Sequence, residues 1–109
     1  MHIIYTPQRG LDESVATYSF DGEIVTATLN GVTDVFDFSD MPDGAAVGFD
    51  SAIDPCPIES AVRDNGVLTV TLRRWYGSPP TRSAGETDAQ YDDRLAQYER
   101  LKMIEEVTV

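Results

Sequence analysis

The residues able to do chemistry are few, and they form no catalytic pattern. His2 is the only histidine among 109 residues, so no Ser-His-Asp set can be assembled around it. Cys56 is the only cysteine. With Pro55 and Pro57 on either side and no histidine partner, it reads as part of a rigid loop and not as a nucleophile. No P-loop and no dinucleotide fingerprint occurs. Asp34, Asp37, Asp40 and Asp43 recur at every third position, offering the hard oxygens that calcium favours. An EF-hand loop, however, spaces its ligands at alternate positions before a glycine, and on a strand Asp34 and Asp37 point to opposite faces. Solvated acids and turn formers account for the series. With 19 acids in the chain, close carboxylate pairs arise by chance and no glycosidase pair can be singled out. The expectation is a protein without catalytic residues, metal ligands or cofactor: not an enzyme.

One cluster carries a different kind of chemistry. Arg73-Arg74-Trp75-Tyr76 joins two positive charges to the only tryptophan. Arg, Trp and Tyr are the types that dominate interface energetics. Two readings stay open. Trp75 and Tyr76 close an end of the core while the arginines pair with acids, or the four residues form an interaction surface. Further on, Tyr91, Leu95 and Tyr98 share one helical stripe and join that candidate surface. Single-stranded nucleic acid could also use an aromatic-basic patch, but four residues on a chain of net charge −11 carry little weight.

The charge is uneven. Residues 1–66 hold 12 acids against Arg9 and Arg63, a balance of −10, while residues 67–109 come to −1 with seven acids and six bases. Such a field repels phosphate backbones and anionic lipid, so no nucleic acid and no membrane is expected as partner. No apolar run approaches the roughly 20 residues that span a bilayer, and Met1 to Thr6 lacks the basic flank of a signal peptide. A single cysteine suits a reducing compartment, so the expected location is cytoplasmic.

Three glycine turns organise the elements that hold these residues. Asp21-Gly22 suits a two-residue type I′ hairpin pairing Phe20 with Glu23 and Tyr18 with Val25. It lays Ala16, Tyr18, Phe20, Val25, Ala27 and Leu29 on one face, with the intervening threonines and Ser19 mostly on the other. Asn30-Gly31 repeats the device, pairing Leu29 with Val32 and Val25 with Phe36, so that Val32, Phe36 and Phe38 extend the same face. Asp34 then falls on the apolar face opposite Ala27: near an edge, hydrogen-bonded, or marking a bulge. At Asp64-Asn65-Gly66 a two-residue loop would turn Glu59 and Arg63 to the face of Leu68, Val70 and Leu72. A three-residue loop aligns Ile58, Ser60 and Val62 with them instead, and this is the register expected. His2–Thr6 opens as a short strand stopped by Pro7, and Asp54-Pro55-Cys56-Pro57 is expected to be extended.

After Tyr76 the pattern changes. Residues 77–87 read as a loop or linker, and Thr87 with Gln90 makes a capping box for a helix over 88–104. This helix is expected to dock on its own sheet, or alternatively on a neighbouring subunit. Glu105–Val109 ends as a frayed tail or an added strand, and either helix or strand could be exchanged between subunits. The fold class is α+β, mainly β: an antiparallel β-meander of about six strands over 1–76 with one C-terminal helix in 88–109.

The opening Ile3-Ile4-Tyr5-Thr6-Pro7-Gln8-Arg9 resembles the start of a group of small tailed-bacteriophage and prophage proteins encoded in or near the tail and structural modules. Val35-Phe36-Asp37-Phe38-Ser39 followed by Pro42 and Gly44, and the strand Gly66-Val67-Leu68-Thr69-Val70-Thr71-Leu72, are similar to them too. The likeness covers about the first 75 residues; the segment after Gly77 is not shared. The group brings no catalytic residues. It implies a phage-encoded structural, assembly or accessory protein that acts by protein–protein interaction, with another phage protein or a second copy as partner, in the host cytoplasm or on the virion. An acidic host-interaction factor that mimics nucleic-acid charge is the alternative.

Overall fold

The computed structural model describes residues 1–10 and 16–109. The chain is mainly β with one helix near its C-terminal end, as the sequence implies. Its strands are β1 (His2–Arg9), β2 (Ala16–Asp21), β3 (Ile24–Leu29), β4 (Val32–Asp37), β5 (Gly44–Ala46), β6 (Ile58–Asp64) and β7 (Val67–Tyr76), followed by α1 (Asp88–Leu101) and β8 (Glu105–Thr108). The described residues form eight strands, where about six were expected, and these divide between two sheets. One is the meander β2-β3-β4; the other runs β5-β6-β7-β1-β8. In the larger sheet β1 lies parallel to β7 and antiparallel to β8, a crossover that turn chemistry alone does not announce. One dry layer joins the sheets. Val25, Ala27, Leu29 and Phe36 of the meander meet Ile3, Ile58, Ala61, Leu68, Val70 and Leu72 of the larger sheet.

The glycine turns reverse the chain where expected, with two corrections of register. Asn30 and Gly31, with φ 51° and 82°, close β3 on β4 so that Leu29 faces Val32 and Val25 faces Phe36. At the first hairpin the loop is Gly22-Glu23, one residue later than expected, with Gly22 at φ 59° where a type II′ turn needs glycine. Phe20 therefore pairs with Val25 and Tyr18 with Ala27. The shift is by two residues, so every side chain keeps its expected face. At the third turn the loop has two residues, Asn65-Gly66, and Arg63 stands opposite Leu68 on the core face. An irregularity between Ile58 and Ser60 restores Ile58 to its place opposite Leu72 and turns Glu59 outward. Ala61 takes the buried position and Val62 is exposed. The shorter loop wins because Arg63 finds a partner for its charge, described below.

Pro7 does not stop β1. Met1 exchanges both backbone hydrogen bonds with Val109, so the odd residues of β1 direct their backbone groups toward β8. Pro7 has that parity and lies two residues beyond the last pair, Tyr5 with Glu105. No donor is needed there. The Asp54–Pro57 segment is bent and not extended, with Asp54–Pro55 a cis peptide. Glu105–Thr108 is an added strand on its own chain.

The helix begins as its capping box dictates. The Thr87 hydroxyl accepts from the Gln90 N–H, and the Gln90 side chain accepts from the Thr87 N–H. It ends at Leu101, three residues earlier than expected, and no side chain on it is buried. It does not lie on a sheet face. Its last turns meet the end of β7, and the rest packs on residues 78–86, which precede it. A 14-residue helix is about 21 Å long and the ten-residue β7 about 33 Å, lengths that laid end to end match the 54 Å long axis of the molecule. Residues 77–101 form an arm projecting from one end of the sandwich.

Candidate interaction surface

β7 carries the arginine-aromatic cluster out of the core. Leu68, Val70 and Leu72 are buried in alternation; Arg73 and Arg74 are half-buried, and Trp75 is buried at 9% exposure. Trp75 thus belongs to the core cluster. Arg73 binds inward as well. Its Nε donates to the Cys56 carbonyl at 3.0 Å and its Nη1 to Gln8 Oε1 at 3.2 Å. Its own carbonyl accepts from the Tyr18 hydroxyl across the sheets. Burial pushes the Tyr18 phenol well above its ordinary range, with the neighbouring Tyr5 adding to the effect.

Arg74 and Tyr76 instead hold the root of the arm. The Arg74 guanidinium lies 4.2 Å over the Tyr5 ring and donates to Glu105 Oε2 at 2.8 Å, tying β7 to β1 and β8. Tyr76 meets Tyr98 edge to face, ring centres 6.3 Å apart, and Arg9 stands 6.0 Å over the Tyr76 ring. Tyr98 donates its hydroxyl to the Gly77 carbonyl at 2.7 Å, and Tyr91, two turns earlier, donates to the Pro80 carbonyl at 3.4 Å. Leu95 is half-buried. The tyrosine stripe therefore faces the end of β7 and the arm's own outgoing segment, not a sheet face.

Charge pairs close the arm on itself. Arg94 Nη1 reaches both oxygens of Glu86 at 2.8 and 2.7 Å, and its Nη2 donates to the Thr81 carbonyl. Arg82 pairs with Asp88. The Arg94 bond holds the Glu86 carboxyl below the usual range. A groove of about 400 Å³ runs between the helix and the outgoing segment beside Ser78, Pro80, Gln97 and Tyr98. The predicted surface residues are thus split. Arg74, Tyr76 and Tyr98 come together at the arm's root, Tyr91 and Leu95 line its inner side, and Arg73 and Trp75 belong to the sandwich.

Two features were missed by sequence reasoning. Arg63 donates from Nη1 to Glu23 Oε2 at 2.9 Å and from Nη2 to Glu23 Oε1 at 3.1 Å, and Nη2 also reaches the Phe38 carbonyl. This bidentate pair clamps the two sheets together and holds the Glu23 carboxyl below its ordinary range. The signal was Arg63 itself, one of only two bases in the first 66 residues, falling on the core face in the register that was rejected. The second is an apolar groove of about 400 Å³ beside β4, floored by Phe36, Phe38, Met41 and Phe49. Asp34 lies on the same edge strand. One carboxylate oxygen accepts from the Val35 N–H and the other from the Ala52 N–H at 2.8 Å, so this edge-strand acid fastens the 39–57 connection.

Asp37 accepts from the Ser39 N–H and hydroxyl, and Asp43 accepts from the Gly66 N–H. Among the described residues no three His, Cys, Asp or Glu side chains gather as a metal site, and no helix is long and apolar enough to cross a membrane. Comparison with family models, with curated proteins and with solved structures finds no match.

Proposed function

We propose that this chain is a phage or prophage structural, assembly or accessory protein that acts by protein–protein interaction, presenting the arm of residues 77–101 to another phage protein. The observation that carries the reading is the arm. It buries no helical side chain in the sandwich, yet it is ordered by its own capping box, tyrosine hydroxyls and Arg94–Glu86 pair. Twenty-five residues that add nothing to the core present a fixed surface outward, with Ala89, Asp92, Asp93, Ala96 and Arg100 exposed on the helix. The resemblance of the first 75 residues to phage proteins supplies the context. The absence of the arm from that resemblance fits a common sandwich carrying a specific reader.

The alternative, an acidic mimic of nucleic acid, has less support. It needs acids grouped on one face, but Glu23 is neutralised by Arg63, Glu59 accepts from Thr6 on the larger sheet, and Asp43 sits at the β6–β7 turn.

The test is to mix the purified chain with the purified products of adjacent phage genes and follow co-elution. One partner should co-elute, and Ala96→Arg on the exposed helix face should weaken that binding at least tenfold without changing the melting temperature. Co-elution with none of them overturns the reading.

A further inference from the structure

The arm returns to the sandwich through a strand held mainly by its backbone. β8 pairs with β1 from His2–Thr108 to Tyr5–Glu105, and Met1 with Val109 completes the ladder. Only Val107 of this strand is half-buried, packing against the core. Glu105 is bound by Arg74, and Glu106 lies 3.8 Å from His2. The three residues joining helix to strand, Lys102–Ile104, are all exposed, Met103 at 63% and Ile104 at 67%, next to Leu101 at 38%.

We propose that β8 is an exchangeable strand: in a two-fold dimer, each chain lays its β8 on the β1 edge of a second copy. Every contact that holds β8 is made to Met1–Tyr5, to Arg74 or to the core beneath them. All of these are offered equally by another molecule. The helix makes no buried contact with β8: no helical side chain is buried, and its anchors, Tyr98 on Tyr76 and Gly77 and Tyr91 on Pro80, lie at the end of β7 and within the arm. A three-residue hinge that straightens frees the strand, and short hinges favour exchange over closure. Leu101, Met103 and Ile104 mark that hinge. Two hinges crossing at a dyad cover apolar side chains that the single chain leaves in water.

Simple edge-to-edge addition of two β8 strands is the competing geometry. It leaves every β8 on its own β1, whereas exchange moves each β8 to the β1 of the second copy. The exchange does not depend on whether the arm also meets another protein, so the two readings fail separately.

His2–Thr108 and Ile4–Glu106 are the non-hydrogen-bonded pairs of this ladder, close enough to accept a disulfide. The full chain with Cys56→Ser and either His2→Cys with Thr108→Cys or Ile4→Cys with Glu106→Cys is oxidised and run on a non-reducing gel. Light scattering of the unaltered chain is measured alongside. The expected result is a dimer in solution and a covalently linked dimer with both cysteine pairs. A monomer at every concentration overturns the proposal, and so does a dimer whose cysteines close within each chain.

Discussion

Trp75 and Arg63 show how single side chains divide between holding the fold and offering a surface. Trp75 is the only tryptophan, so its fluorescence reports one site. At 9% exposure it is predicted to emit at a blue-shifted wavelength and to resist acrylamide quenching. Trp75→Ala is predicted to destabilise the chain by about 3–5 kcal/mol, the usual loss for a large aromatic removed from a core, measured by urea unfolding. A change under about 1 kcal/mol would return Trp75 to the surface reading. From sequence alone the core-covering reading was favoured and the surface one stayed open, because residue type does not say which side of the last strand meets the core. Arg63 was hidden for the opposite reason. An arginine on a core face looks like an error until Glu23, 40 positions earlier, arrives from the other sheet to meet it.

That pair also sets a pH dependence. The folded-state pKa of Glu23 is lowered by its Arg63 hydrogen bonds, and those of Asp37 and Glu86 by Ser39 and Arg94. A lowered folded pKa gives stability that is fully present above the unfolded value, about 4.3 for Glu, and is lost as pH falls through the folded value. The melting temperature should therefore hold from neutrality to about pH 5 and fall below it. Glu23→Gln should lower it at pH 7 and make the acid fall shallower. An unchanged acid limb in that variant would remove the clamp from the account.

Turns and caps were readable because they depend on adjacent residues. Asn30-Gly31 and Thr87–Gln90 are local, and both form as read. Gly31 sits at φ 82° with open space where a Cβ would go, so Gly31→Ala tests backbone strain alone. It is predicted to cost about 1–2 kcal/mol in denaturant unfolding, with the β3–β4 register retained. Thr87→Ala should cost the helix about 1 kcal/mol. Since the arm adds nothing to the core, helical circular dichroism should drop while the main unfolding transition stays within about 1 °C. Register was harder to read where a distant partner decides it. The irregularity before Ser60 and the shorter third loop answer to Glu23, and the parallel pairing of β1 with β7 joins residues about 67 positions apart.

The molecule as a whole departs from compactness in one direction. Its Cα radius of gyration is 16.1 Å, against about 13 Å for a globule of this length. The difference comes from the arm, whose stripe of Tyr91, Leu95 and Tyr98 had pointed to a helix lying on a sheet. Periodicity identifies which side of a helix is covered but not what covers it, and here the cover is Tyr76 at the end of β7 and the segment that follows it. The proposed partner binding and the strand exchange both follow from that arrangement. Each requires a C-terminal segment stabilised apart from the sandwich.

Amide hydrogen exchange resolved by residue tests that separation most directly. The account predicts slow, globally linked exchange for Val25, Ala27, Val70 and Leu72, and exchange at least a hundredfold faster throughout Tyr91–Leu101. Equal protection of the helix and the β7 core, lost together in one transition, would contradict it.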